Sequence, residues 1–88
     1  VLIPHVASAF RKDLKRIKKQ GKDTDKLKRI MDDLIEEIPL AEKHKDHPLV
    51  GNWAHHRECH IQPDWLLIYR IEGDCITFER TGSHADFF

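Results

Sequence analysis

Seven histidines occur in a chain of 88 residues. Imidazole titrates near neutral pH, so a histidine can both take and give a proton there. Three of them stand beside other useful groups. His47 precedes Pro48 in a polar stretch. His60 opens the run His60-Ile-Gln-Pro-Asp-Trp65, which adds the carboxylate of Asp64 and the ring of Trp65. His84 lies four residues before Phe88. Cutting RNA through its own 2′-hydroxyl needs a base for the 2′ proton, an acid for the 5′ leaving oxygen, and a cation near the phosphoryl oxygens. His47, His60 and His84 supply imidazole, Asp64 supplies a carboxylate, and Arg80 or Arg57 supplies the cation. Any of the three imidazoles suits either proton role, and Asp64 can orient one or serve as a base. Trp65 and Phe88 offer faces on which splayed bases can stack. Each residue taken alone also fits a structural role. Asp64 after Pro63 is a common turn residue, Trp65 suits a core, and Phe88 can pin a tail.

The same histidines raise the question of a metal. His44-x-x-His47 and His56-x-x-Cys59-His60 are ligand-like spacings. A structural zinc site, however, usually takes four close ligands. On a strand, His56 and Cys59 point to opposite sides. The expectation is therefore no metal and no cofactor. His44, His55 and His56 read as surface residues. The two cysteines, Cys59 and Cys75, both fall inside expected strands and form no secreted disulfide framework. No apolar run approaches a membrane span, so a cytoplasmic setting with no membrane contact is expected.

The elements that must position these groups follow from periodicity. The length predicts one domain over residues 1–88. Val1–Ile3 reads as a short strand stopped by Pro4. Ser8 is placed to cap a helix to about Gln20, with Phe10, Leu14 and Ile17 as its apolar stripe and Gly21 as its left-handed stop. A second helix starts at Asp23 or Thr24. Its stripe is Leu27, Ile30, Met31, Leu34, Ile35 and Ile38, and Pro39 ends it. Residues 40–53 read as a loop. Three strands follow: His55–Ile61 alternating, Trp65–Ile71 buried on both faces, and Cys75–Arg80 alternating. Gly82 ends the last one, leaving residues 83–88 as a tail along the sheet edge.

Formal charge is zero, with fifteen basic and fifteen acidic side chains. The balance hides an asymmetry. Arg11 to Ile30 holds ten Lys or Arg and three acids, whereas the remainder holds five and twelve. Arg11, Lys12, Lys15, Arg16, Lys18 and Lys19 on the first helix are thereby candidates for contact with a polyanion. A solvated helical face is the alternative.

The runs Lys45-Asp-His-Pro-Leu49, Gly51-x-Trp53, Arg57-Glu-Cys-His60, Pro63-Asp-Trp-Leu-Leu-Ile-Tyr69 and Phe78-Glu-Arg-Thr-Gly-Ser-His84 resemble the YafQ-type toxins of the RelE superfamily. The resemblance is dense over the second half and covers the helices in outline. It implies an α+β fold, a two-helix hairpin on a twisted, mainly antiparallel sheet of about four strands. It implies a ribosome-dependent endoribonuclease that cuts mRNA in the A site of the 70S ribosome without a metal. The family's functional residues fall on His47, His60, Asp64, Trp65, His84 and Phe88. The helix cations would then hold ribosomal RNA phosphates. The implied partner is a ribbon-helix-helix antitoxin of the DinJ/RelB kind, through which alone operator DNA would be met. The alternative within the superfamily is a non-nuclease member, a gyrase-directed toxin or an inactive binding module.

Overall fold

The computed structural model describes all residues, 1–88. Two amphipathic helices form where the stripes predict them, α1 (Ser8–Lys19) and α2 (Thr24–Ile35). Ala7, not Ser8, is the cap of α1 and contributes no side-chain bond. Asp23 caps α2, its carboxylate accepting from the Asp25 N–H at 3.0 Å. Gly21, at φ 77°, makes the left-handed exit from α1 that other residues disfavour. The second helix ends at Ile35, a turn earlier than Pro39 suggests. Glu37 takes φ 60° and the Ile38 N–H folds back to the Asp33 carbonyl. Ile38 is consequently exposed and does not belong to the core stripe.

The sheet has five strands, ordered β1-β5-β4-β3-β2: β1 (Ile3–Val6), β2 (His47–Pro48), β3 (Arg57–Gln62), β4 (Trp65–Glu72) and β5 (Cys75–Gly82). All pairs are antiparallel except β1 with β5. The strand count is thus one higher than expected. The first strand also runs through Pro4 rather than stopping there. Pro4 is tolerated because β1 is an edge, where a missing N–H breaks no ladder. The region 40–53 is not a plain loop: 3₁₀ turns at Glu42–His44 and Gly51–Trp53 flank the two residues of β2. The tail forms a short helix, α3 (His84–Phe87).

One face of the sheet takes the hairpin. Phe10 and Ile17 of α1, and Leu27, Ile30 and Leu34 of α2, pack with Cys59, Ile61, Trp65, Leu67, Tyr69, Ile76 and Phe78. Burying each large side chain contributes roughly 1.5–3 kcal/mol, and this single cluster orients everything else. Because side chains alternate along a strand, Glu58 and His60 must point to the opposite face. That face is where the polar groups gather.

Candidate active site

Register places the first pair. His47 stands directly opposite Glu58 across the β2–β3 ladder, so the two share a face. Glu58 Oε1 lies 3.5 Å from His47 Nε2 and 3.4 Å from His60 Nε2. Glu58 is buried, 4 % exposed, and its Oε2 has no hydrogen-bond partner. A buried carboxylate with a vacant oxygen is costly unless cations or ligands face it. Here both neighbours are imidazoles.

The β3–β4 turn and α3 complete the group. Asp64 Oδ1 accepts the backbone N–H of His84 at 3.1 Å and lies 3.0 Å from His84 Nδ1. These bonds, the backbone one first, hold the Asp64 carboxyl below the ordinary aspartate range. The His60 and His84 ring centroids are 5.3 Å apart, and those of His47 and His60 are 6.5 Å apart. Phe88 follows at 6.3 Å from His84 and is 61 % exposed, an open aromatic face beside the imidazoles. Three histidines distant in sequence therefore form one continuous group with two carboxylates.

The two outer imidazoles, His47 and His84, sit on segments held from behind. The loop carrying His47 is pinned by Asp46, which accepts from the Tyr69 hydroxyl and from Arg57 Nε at 3.4 Å. Burial works against the Arg57 charge, but Tyr69 and Asp46 outweigh it and hold its pKa up. His47 Nδ1 is bonded to the Lys45 carbonyl, and Lys45 itself takes a left-handed conformation at φ 48°. Segment 83–88 is fixed by a capping box. The Asp86 carboxylate accepts the Ser83 N–H at 2.8 Å, which lowers its pKa. Arg16 ties α1 to that segment, bonding the Thr81 carbonyl at 3.2 Å and Asp86 at 3.3 Å.

Several expected roles change in the folded chain. Trp65 is 1 % exposed in the hairpin-side core, with its Nε1–H donating to Thr81 Oγ1 at 2.9 Å. It has no free face for a base and instead backs the turn that carries Asp64. Arg80 is already engaged. Its Nε and Nη2 donate to Asp13 at 2.7 and 3.1 Å, and its guanidinium lies 4.9 Å from the Phe87 ring centroid. The Asp13 hydrogen bond raises the Arg80 pKa. Arg16 is half-buried in the Asp86 clamp, whereas Arg11, Lys12, Lys15, Lys18 and Lys19 stay exposed. His44 and His56 are half-buried rather than free on the surface. His44 Nδ1 meets the His60 carbonyl at 2.7 Å, and His56 Nε2 meets Glu79 at 3.4 Å. Glu58 is the participant that reading the residues one by one passes over. Its alternation with His60 was the available signal.

Glu58, His60 and His84 also offer one ligand atom each within 4.8 Å of one another, a set able to hold a metal ion. His44-x-x-His47 and His56-x-x-Cys59-His60 form no such group.

A small α+β domain with an acid–base cluster on the sheet face opposite the hairpin defines a class, and residues 3–88 match the family model described as bacterial toxin of type II toxin–antitoxin system, YafQ. The mRNA interferase toxin YafQ of Escherichia coli K12 is 46 % identical over 80 residues, 90 % of this chain and 87 % of that protein. The toxin in the E. coli DinJ–YafQ complex superposes with a TM-score of 0.93 at 42 % identity, covering 100 % and 99 % of the two chains. A metal-bound toxin from Helicobacter pylori gives 0.93 at 41 % identity over 100 % of both. The chain belongs to the YafQ family of RelE-like toxins.

Proposed function

We propose that this protein is an mRNA interferase that cuts mRNA on the ribosome and is silenced by a DinJ-like antitoxin. The observation that carries the reading is the unbroken run His47–Glu58–His60–His84–Asp64 on one sheet face. A base from the His47–Glu58–His60 group takes the 2′ proton of the nucleotide before the cut. The O2′ attacks phosphorus, the P–O5′ bond breaks, and a 2′,3′-cyclic phosphate forms. His84 in its imidazolium form gives a proton to the departing O5′. Asp64 fixes that ring through Nδ1, leaving Nε2 to face substrate. Phe88 stacks against a base and helps hold the strand in line for attack. The exposed α1 cations hold ribosomal RNA phosphates, a contact that weakens with salt.

The reaction needs no metal. Glu58, His60 and His84 would hold a copper- or zinc-like ion. An ion there would occupy the nitrogens that move protons, so no step runs through it. The setting is cytoplasmic, where ribosomes are; no helix is long and apolar enough to cross a membrane.

His84→Gln tests the reading. Cleavage of mRNA on programmed ribosomes and growth arrest are expected to fall by at least about 100-fold, the usual contribution of a general acid. Antitoxin binding is expected to persist, and wild-type cleavage is expected to survive a chelator. Full toxicity of the variant overturns the assignment of His84.

A further inference from the structure

A second feature borders the imidazole cluster on the side away from His84. A groove of about 620 Å³ runs between α2 and the 3₁₀ turn Glu42–His44, with the Pro63 bend as its floor. Lys26 and Arg29 come from α2, and Lys43, His44 and Lys45 come from the facing segment. His60 belongs to this lining as well as to the catalytic group. Asp33 is the one acid along it. Lys26, Arg29, Lys43 and Lys45 are exposed, and none of the four is paired with a carboxylate. Elsewhere Arg16, Lys28, Arg57, Arg70 and Arg80 are paired with an acid, whereas the α1 lysines, like those of the groove, are not. The cleft on the other side of the Pro63 bend has the opposite character. Lys22 is the one cation among its lining residues, which include Asp64 and Asp86.

We infer that this groove is a binding track for the RNA sugar–phosphate backbone, carrying the substrate strand away from the scissile phosphate. The inference rests on the nuclease reading of the same face and extends it to nucleotides beyond the cut. Two positive rows face each other across the groove. Lys26 and Arg29, three residues apart, lie on one side of α2. Lys43 and Lys45 line the opposite wall. Such a channel holds a polyanion without reading its sequence. His44 couples the two sites: its Nδ1 bonds the His60 carbonyl, so the groove wall and the catalytic strand are fixed to one another. The track takes a single strand through its phosphates and leaves the bases free for the ribosome to present.

The test uses the intact toxin and RNA made uncleavable by one 2′-deoxy nucleotide at the cut. A dinucleotide reaches only the catalytic group, whereas a strand of about twelve nucleotides extends into the track. Lys26→Gln/Arg29→Gln, both changes at exposed helix positions that glutamine suits, is compared with Lys28→Gln, an exposed α2 position outside the groove lining. Fluorescence anisotropy is expected to show longer-strand affinity on the order of tenfold weaker in the double variant. The slope of log affinity against log salt should fall by about 1.4, at roughly 0.7 per phosphate contact on a single strand. Dinucleotide binding and the Lys28→Gln control should stay as in wild type. Wild-type affinity and slope in the double variant overturn the inference. So does a loss seen only in ribosome binding, which assigns the groove to ribosomal RNA. Active His84→Gln would sink the acid assignment without touching this binding series, so the two failures are distinguishable.

Discussion

The pairing of Arg80 with Asp13 is open to a quantitative test. Asp13 is buried on α1 and accepts three bonds from β5: Arg80 Nε at 2.7 Å, Arg80 Nη2 at 3.1 Å and the Thr81 N–H at 3.1 Å. The last bond satisfies a strand edge beyond the reach of β1, which pairs with β5 only as far as Phe78. A hydrogen bond to a charged group contributes about 1.5–3 kcal/mol. Arg80 is a third exposed, so solvent screening reduces its share, and the Asp13–Arg80 coupling comes to roughly 2 kcal/mol. Asp13→Ala also orphans the Thr81 N–H, adding about 1–2 kcal/mol for a total near 3–4 kcal/mol. For a domain of this size that is a fall in Tm of roughly 12 °C or more. Arg80→Ala should cost about 2 kcal/mol and then make Asp13→Ala cheaper by the coupling. Denaturant unfolding of the two single variants and the double variant measures this cycle. Asp13→Asn, which keeps the shape and one acceptor, serves where the alanine variant is too unstable. A coupling below about 0.5 kcal/mol refutes the reasoning and returns Arg80 to the pool of cations free for a phosphate.

Two further outcomes are expected. Gly82→Ala places a Cβ 2.5 Å from Asp86 Oδ2 and 2.7 Å from Arg16 Nη2, the ends of two flexible side chains, so the Arg16–Asp86 pair must give way. Cleavage should fall and stability should drop by up to about 1 kcal/mol, the worth of a partly exposed ion pair, as activity assays and thermal melts would show; wild-type activity together with wild-type stability would contradict the packing. The Asp64 carboxyl, held low by His84, should titrate by carbon NMR at a lower pH in the folded chain than in the denatured one. With the folded pKa depressed, its contribution is complete above the unfolded value and disappears as pH falls through the folded one. A midpoint at or above the denatured value would count against that contact.

The helical hairpin and the three long strands were legible because their apolar positions repeat at 3.6 or 2 residues. Their burial then followed except at Ile38, where a left-handed Glu37 cuts α2 short, and at Ile71, which is exposed towards the end of β4. The edge strands were poorly legible. β1 is defined by parallel pairing with residues more than seventy positions away, and β2 is two residues long. At the site, residue type and family resemblance named the imidazoles and Asp64. Roles were harder to read, because they depend on what lies across the sheet. Glu58 gains its place only when His47 registers opposite it. Trp65 sits in an apolar run compatible with either face, and the Thr81 hydroxyl draws it inward. Arg80 looks like a free cation until Asp13, 67 residues earlier, closes on it.

The clamp between α1 and residues 81–86 has a consequence for biosynthesis. Arg16 and Asp13 leave the ribosome early, while Thr81, His84 and Asp86 follow some 65 to 70 residues later. Contacts of such separation form slowly and late. A nascent or prematurely terminated chain therefore holds an N-terminal half without an assembled cluster, and on the proposed reading clipping within 83–88 would disarm a finished molecule. On that reading toxicity would follow completed synthesis, giving a co-produced antitoxin time to arrive first.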